Sequence, residues 1–306
     1  MNAVVFSGQG VQYEGMGKDL YENFTEAKRI FLLIDKILGI NISRICFYEE
    51  QELNQLYNQQ LGVIAVSLAA YELFKISGIK VDYFSGLSLG EYSCLYPSGT
   101  LNLEDTVNFV KVRAEATIEA ARKNPSSMLA VIGLKENQIR SIGEKEGFYV
   151  ANINSSKQMV VSVKEEDKEN IKNILKNNKY NSRIKIREID TGAGFHSPFM
   201  EPARIILDKY ADNLRFSKAH IPIVNNIMAK EAVDGNEIKK CLVDQLTHTV
   251  LWEKCVEYMV YKGVNTFFVV GPAKVLGRLI KQISPDVKVI ALEKKEDFDK
   301  LYDLDV

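Results

Sequence analysis

Apolar residues along this chain fall into short runs and longer stretches, and the two alternate. Ala3-Val4-Val5-Phe6 is a four-residue apolar run with the length of a buried strand. Residues 58–77 are largely apolar and predict a helix, and residues 82–86 predict a short strand leading into Ser88. Pro97-Ser98-Gly99 breaks the pattern, and Asn102 is placed to cap a new helix over 103–122. On a wheel of roughly 100° per residue, Asn108, Lys111, Glu115, Glu119 and Arg122 of that helix cluster within about 80°. Arg113 lies roughly 160° from the centre of this polar face and so points inward among Phe109, Val110 and Thr117.

From 124 to 190 the period changes. Residues 128–134 predict a strand, 135–146 a helix, 149–154 and 158–163 strands, 165–177 a charged helix and 184–189 a last strand. The order βαββαβ is that of a ferredoxin-like unit. The earlier pattern then resumes, with helices over 201–213, 235–245, 251–262 and 273–283. Strands over 222–225, 266–270 and 287–291 lie between them. Strands alternating with helices predict a mostly parallel sheet covered on both faces.

The 306 residues suffice for one large domain or a large one with a smaller partner. A formal net charge of −1 gives no global attraction to nucleic acid or membrane. The apolar runs are too short to span a bilayer, and no basic stretch precedes the first strand, so no signal peptide is expected. Cys46, Cys94, Cys241 and Cys255 lack C-x-x-C spacing and read as reduced structural thiols, and three scattered histidines predict no metal site.

Gly86-Leu87-Ser88-Leu89-Gly90 carries the chemistry, because it sets one serine between two glycines at the spacing of a nucleophile elbow. A base for Ser88 must be His196, His220 or His248. His196 follows Gly192-Ala193-Gly194-Phe195, and small residues before a histidine suit a close backbone approach at a site edge. The glycines of Phe6-Ser7-Gly8-Gln9-Gly10 form an ordinary turn, or turn the N–H of Gln9 toward the elbow. For Arg113 two readings stand: a salt bridge to an internal carboxylate, or a bidentate seat for a substrate carboxylate.

Taken together, these residues resemble the malonyl-CoA:acyl carrier protein transacylases, which include the bacterial fatty-acid enzyme and the acyltransferases of polyketide synthases. Phe6-Ser7-Gly8-Gln9-Gly10, Gly86-Leu87-Ser88-Leu89-Gly90-Glu91 with Tyr92, Arg113, Phe195-His196-Ser197 and Gln245 occur in that family's order and spacing. Ile221-Pro222-Ile223-Val224-Asn225-Asn226 and Val269-Val270-Gly271-Pro272-Ala273-Lys274-Val275-Leu276 extend the likeness to nearly the whole chain.

The resemblance implies an α/β-hydrolase-like large domain with a mostly parallel sheet (residues 1–123 and 191–306) and an inserted ferredoxin-like small subdomain (124–190). It implies Ser88 as nucleophile, His196 as general base, and Gln245 orienting His196 through its backbone carbonyl. The N–H groups of Gln9 and Leu89 would form the oxyanion hole, and Arg113 would hold a malonyl carboxylate. The implied reaction is ping-pong transfer of malonyl from malonyl-CoA to the phosphopantetheine thiol of holo acyl carrier protein. It needs no metal or redox cofactor. A cytoplasmic monomer is expected, with no nucleic-acid or membrane partner. Phe195 matches the malonyl-type motif; the methylmalonyl type usually has serine there.

Three positions depart from the family pattern. Leu87 stands where histidine is usual, Ser7 where proline is common, and Gly192-Ala193-Gly194 varies the small-residue run. Some relatives that read Gly-Leu-Ser-Leu-Gly belong to polyketide clusters, where related proteins hydrolyse carrier-bound acyl groups. An editing acyl-thioester hydrolase is therefore the alternative. Arg113 favours malonyl loading, since a hydrolase of uncharged chains gains nothing from a buried cation. A non-catalytic carrier-binding module and a generic carboxylesterase fit less of the pattern. Carrier proteins are acidic, and two basic groups suit them: Arg183, Lys185 and Arg187 along a strand, and Lys274, Arg278 and Lys281 on a helix.

Overall fold

The alternating apolar segments form two sheets in the computed structural model, which describes residues 1–178, 180 and 184–303. The strands in chain order are β1 (Asn2–Phe6), β2 (Tyr83–Gly86), β3 (Ser126–Ile132), β4 (Tyr149–Ser155) and β5 (Gln158–Lys164). They continue with β6 (Lys185–Ile189), β7 (Ile223–Val224), β8 (Glu231–Ala232), β9 (Thr266–Val270) and β10 (Lys288–Leu292). The larger sheet has the order β10-β9-β1-β2-β7-β8 and is parallel except for β8. Parallel neighbours need crossover helices, which cover both faces, so the central strands must be apolar on both sides. β1 meets this demand: Val4 and Phe6 pack into one apolar cluster, Ala3 and Val5 into the other, and all four are fully buried.

On the first face the helix Leu56–Ile76 runs through the core, buried continuously from Asn58 to Phe74. Helices Thr25–Leu38 and Leu103–Lys123 flank it. The first of these was not resolved from the sequence. Its core residues Ala27, Ile30, Phe31, Ile34 and Leu38 keep helical spacing, but the exposed Leu32 and Leu33 blur the pattern. Asn102 caps the second as predicted, its side chain accepting from the Asp105 N–H at 2.8 Å.

The smaller sheet is antiparallel, with the order β4-β5-β3-β6. With helices Glu136–Glu146 and Lys168–Lys176 between its strands, this is the ferredoxin-like βαββαβ arrangement. The second helix starts three residues later than predicted, because Glu165–Asp167 form a turn. Leu129, Val131, Val161 and Val163 face these helices, while Met128 and Val160 face the larger core. Backbone bonds from Ile153 N–H to the Val250 carbonyl and from Val250 N–H to the Ala151 carbonyl, both 2.9 Å, tie the two parts together.

The turn that joins β2 to the short helix Leu89–Ser93 passes directly over β1. A Cβ on Gly90 would lie 2.1 Å from the Phe6 carbonyl oxygen, and one on Gly86 would lie 2.1 Å from the Gly90 carbonyl carbon. Both neighbours are backbone, and β1 is central, so neither can yield. Gly90→Ala should therefore destabilise the protein by about 3 kcal/mol or more. A urea unfolding midpoint equal to that of the unaltered chain would refute this close packing.

Candidate active site

Ser88 ends the β2 turn with φ 54° and ψ −110°, a conformation that side-chain-bearing residues rarely adopt. Such strain costs on the order of 1–3 kcal/mol and persists only where the surroundings enforce it. Here they do. The Ser88 N–H donates to Asn226 Oδ1 at 2.7 Å, and Asn226 Nδ2 donates to the Gly86 carbonyl at 2.7 Å. Gln245 Nε2 donates to the Ser88 carbonyl at 3.1 Å.

The hydroxyl this turn presents lies 2.7 Å from His196 Nε2. His196 Nδ1 lies 2.8 Å from the Gln245 carbonyl oxygen. A carbonyl can only accept, so Nδ1 carries the proton and Nε2 is free to accept from Ser88. His196 is buried, and burial pushes its pKa down to about 4. The bond to Gln245 opposes that fall, and the Arg113 charge adds to it. The imidazole is thus neutral at physiological pH, as a base must be. Of the other two histidines, His220 packs behind Gly99, and His248 Nδ1 contacts the Asp244 carbonyl at 2.7 Å; neither is bonded to Ser88.

The loop after β1 reaches the same turn. A Cβ on Gly8 would lie 2.4 Å from the Leu87 carbonyl oxygen, so this position admits only glycine without a shift of backbone. Gln9 follows, its side chain anchored to Gln59 Oε1 at 2.7 Å. The backbone N–H groups of Gln9 and Leu89 donate no hydrogen bond among the described residues. Two donors beside the Ser88 hydroxyl, free of other partners, have the geometry to hold an oxyanion.

Arg113 points inward as the helical wheel required and is 1% exposed. Its guanidinium carbon lies 4.9 Å from the Tyr92 ring centroid and 5.5 Å from that of Phe195. One terminal nitrogen donates to Gln60 Oε1, and Nε has no partner among the described residues. No carboxylate among the described residues pairs with it, so the internal salt bridge is not formed. Burial lowers its pKa, the penalty expected for a cation without a counter-ion. Gln60 was not singled out from the sequence. Its signal was a polar side chain inside an apolar helix, and its Nε2 is held by Thr117 Oγ1 at 3.1 Å.

Ser88, His196 and Gln9 line a cleft of about 170 Å³ between the two sheets, and Arg113 sits behind its Phe195 wall. Leu87, Met128, Val160 and Phe195 supply apolar walls, and Asn152 and Asn154 supply amides. Helix Lys274–Ile283 forms one rim through Val275, Leu276 and Leu279; Ile189 at the end of β6 and Thr191 form another. Lys274, Arg278 and Lys281 on that helix and Lys185 and Arg187 on β6 are exposed and make no ion pair among the described residues. Arg183 lies outside the described residues. No helix is long and apolar enough to cross a membrane, and no group of three His, Cys, Asp or Glu side chains among the described residues could hold a metal ion.

The described acyl transferase domain model matches residues 3–293. The malonyl CoA-acyl carrier protein transacylase of Bacillus subtilis (strain 168) is 34% identical over 300 residues, spanning 96% of this chain and 94% of that one. Its counterpart in Staphylococcus aureus (strain MSSA476) is 31% identical over 301 residues, with 96% of each covered. The crystal structure of acyl-carrier-protein-S-malonyltransferase from Bartonella henselae superimposes with a TM-score of 0.92 at 30% identity, over 98% of this chain and 97% of that one. A malonyl-transacylase solved in complex with a type II PKS acyl-carrier protein gives a TM-score of 0.92 at 26% identity, over 98% of each chain. A match that runs almost from end to end, in sequence and in fold, makes this chain a member of the acyl transferase family.

Proposed function

We propose that this enzyme transfers malonyl from malonyl-CoA to the phosphopantetheine thiol of an acyl carrier protein. The observation that carries this reading is Arg113, a buried cation without a carboxylate partner, close enough to His196 to lower its pKa. A malonyl carboxylate supplies the missing charge. An acetyl group leaves the guanidinium unpaired, and a site built around a charged partner rejects the analogue lacking it.

In this reading Ser88 Oγ attacks the thioester carbonyl while His196 Nε2 takes its proton. The N–H groups of Gln9 and Leu89 hold the oxyanion. The C–S bond breaks, the CoA sulfur takes the proton back from His196, and a malonyl-serine ester remains. The carrier thiol then attacks the ester, His196 accepts the thiol proton, and Ser88 Oγ leaves with it. Residues 1–123 and 191–306 serve as the catalytic part, and 124–190 as the small subdomain that closes the cleft. The exposed cations on helix Lys274–Ile283 and on β6 flank the cleft, where an acidic carrier must bring its thiol. A cytoplasmic monomer working without cofactor completes the reading; four buried, unpaired cysteines fit a reducing compartment.

Intact-mass analysis after mixing with malonyl-CoA or acetyl-CoA tests this directly. A malonyl adduct should form, disappear in Ser88→Ala, and pass to added holo carrier protein. Decay of the adduct to free malonate would instead favour the hydrolase. Arg113→Ala should lower kcat/KM for malonyl-CoA about 100-fold or more and spare acetyl-CoA, as expected for loss of a buried charge pair. Equal losses on both substrates would remove Arg113 from the carboxylate seat.

Acylation should persist below the pH at which an ordinary histidine becomes charged, and its final acid limb should lie near pH 4. Between about 4 and 6.5 the folded state binds fewer protons at His196 than the unfolded chain does, so this residue's contribution to stability rises with pH there and is lost as the pH drops from 6.5 to 4. A final limb near 6.5 would mean that His196 is solvated in the working enzyme.

A further inference from the structure

One buried group beside Ser88 is not used by the reaction as written. Glu91 lies three residues after the serine in helix Leu89–Ser93 and is 2% exposed. Its Oε2 accepts twice, from the Asn226 backbone N–H at 3.0 Å and from Gln245 Nε2 at 2.7 Å. Those two residues hold Ser88 from both sides, Asn226 at its N–H and Gln245 at its carbonyl. The backbone carbonyl of Gln245 also accepts the hydrogen bond of the His196 Nδ1–H. One carboxylate oxygen therefore links the strained turn of the nucleophile to the residue that orients the base.

We propose that Glu91 is a positioning residue for acylation of Ser88, its ionised carboxylate selecting the amide orientation of Gln245 and thereby the set of the Ser88–His196 pair. The proposal deepens the acyl-transfer reading above and rests on Ser88 being the group acylated. An ionised carboxylate can only accept, so it requires Nε2 of Gln245 to face it. Gln245 Oε1 is buried and has no partner among the described residues. A protonated Glu91 gains an O–H donor. A Gln245 amide turned over would satisfy that donor through Oε1, and the Ser88 carbonyl and Asn226 Oδ1 would lose their contacts with Nε2. The two arrangements differ by one proton.

Burial raises the Glu91 pKa to about 7, while the bonds from Asn226 and Gln245 pull it down. The titratable groups that feel its charge are the Cys94 thiol and Tyr92 phenol of the elbow segment, Cys241 of helix Gly235–Gln245 and Cys255 of helix Trp252–Tyr261. Burial raises all four pKa values, so they stay neutral near pH 7. The two hydrogen-bond donors are then what favours the ionised form. Acylation should be fastest with Glu91 ionised and drop in a step as pH falls through about 7, well above the His196 limb.

The test follows Ser88 acylation by intact mass between about pH 5 and 9, using malonyl-CoA and, separately, a fluorophosphonate. With the fluorophosphonate the Ser88 Oγ–P bond forms, the P–F bond breaks with loss of fluoride, and the serine proton leaves through His196. Glu91→Gln keeps an acceptor oxygen but cannot ionise; it should remain active and lose the step near pH 7. Glu91→Leu removes the acceptor; its acylation rate should fall about 100-fold with KM for malonyl-CoA unchanged, because the Arg113 seat is untouched. A step near pH 7 retained in Glu91→Gln, or acylation of Glu91→Leu at the unaltered rate, would overturn the proposal. If Glu91→Leu does not fold, the pH profile of Glu91→Gln decides alone. Unaltered protein labelled by the fluorophosphonate but not by malonyl-CoA would defeat the malonyl reading, and the fluorophosphonate profiles would still decide the role of Glu91.

Discussion

Ser88 keeps its strained backbone because it is held from two directions. Beneath it, Gly86 and Gly90 let the turn press against the backbone of β1, where a single methyl group would collide with a carbonyl. From the side, the amides of Asn226 and Gln245 engage its N–H and its carbonyl. Each contact alone is worth on the order of 1 kcal/mol, comparable to the strain it opposes. Acting on one residue, they leave its hydroxyl a single direction, toward His196 Nε2.

That constraint orders the rest of the large sheet. β1 must be central and apolar on both faces, because it supports the elbow on one side of the sheet axis and carries the Gly8–Gln9 loop at its end. Helix Leu56–Ile76 contributes two neighbouring amides with separate tasks: Gln59 anchors the Gln9 side chain and Gln60 holds Arg113. A polar pair inside an otherwise apolar helix would be a liability unless each amide had a partner, and each does. The smaller sheet turns one face to its own helices and the other toward the cleft, so its alternation builds a wall of the site as well as a core.

The electrostatics of the site are set by burial more than by pairing. Arg113 is a cation without a carboxylate, Glu91 an acid without a cation, and His196 a neutral imidazole. Each is held by hydrogen bonds to amides or to backbone, which fix geometry without neutralising charge. Such groups respond strongly to one further charge or proton. Leu87 suits this setting: it lies half-buried at the cleft and packs against the cluster behind β2, adding apolar surface where the family usually has an imidazole.

Much of this was readable from the chain. The two-faced apolar run of β1, the period change after residue 124 and the inward turn of Arg113 are properties of local spacing, which survives folding because side-chain direction follows backbone period. The elbow glycines likewise marked where backbones must approach, whereas Gly194 before His196 is crowded by the side chains of Ser126 and Phe199 and not by backbone. What the sequence could not determine was which distant groups meet. That Arg113 lacks a carboxylate is a property of the whole packed core, and that Glu91 meets Asn226 and Gln245 and that His196 rather than His220 or His248 reaches Ser88 depend on contacts between residues more than a hundred positions apart. Hydrogen bonds of that kind leave no periodic trace in the chain; they exist only once the two sheets have brought their ends together.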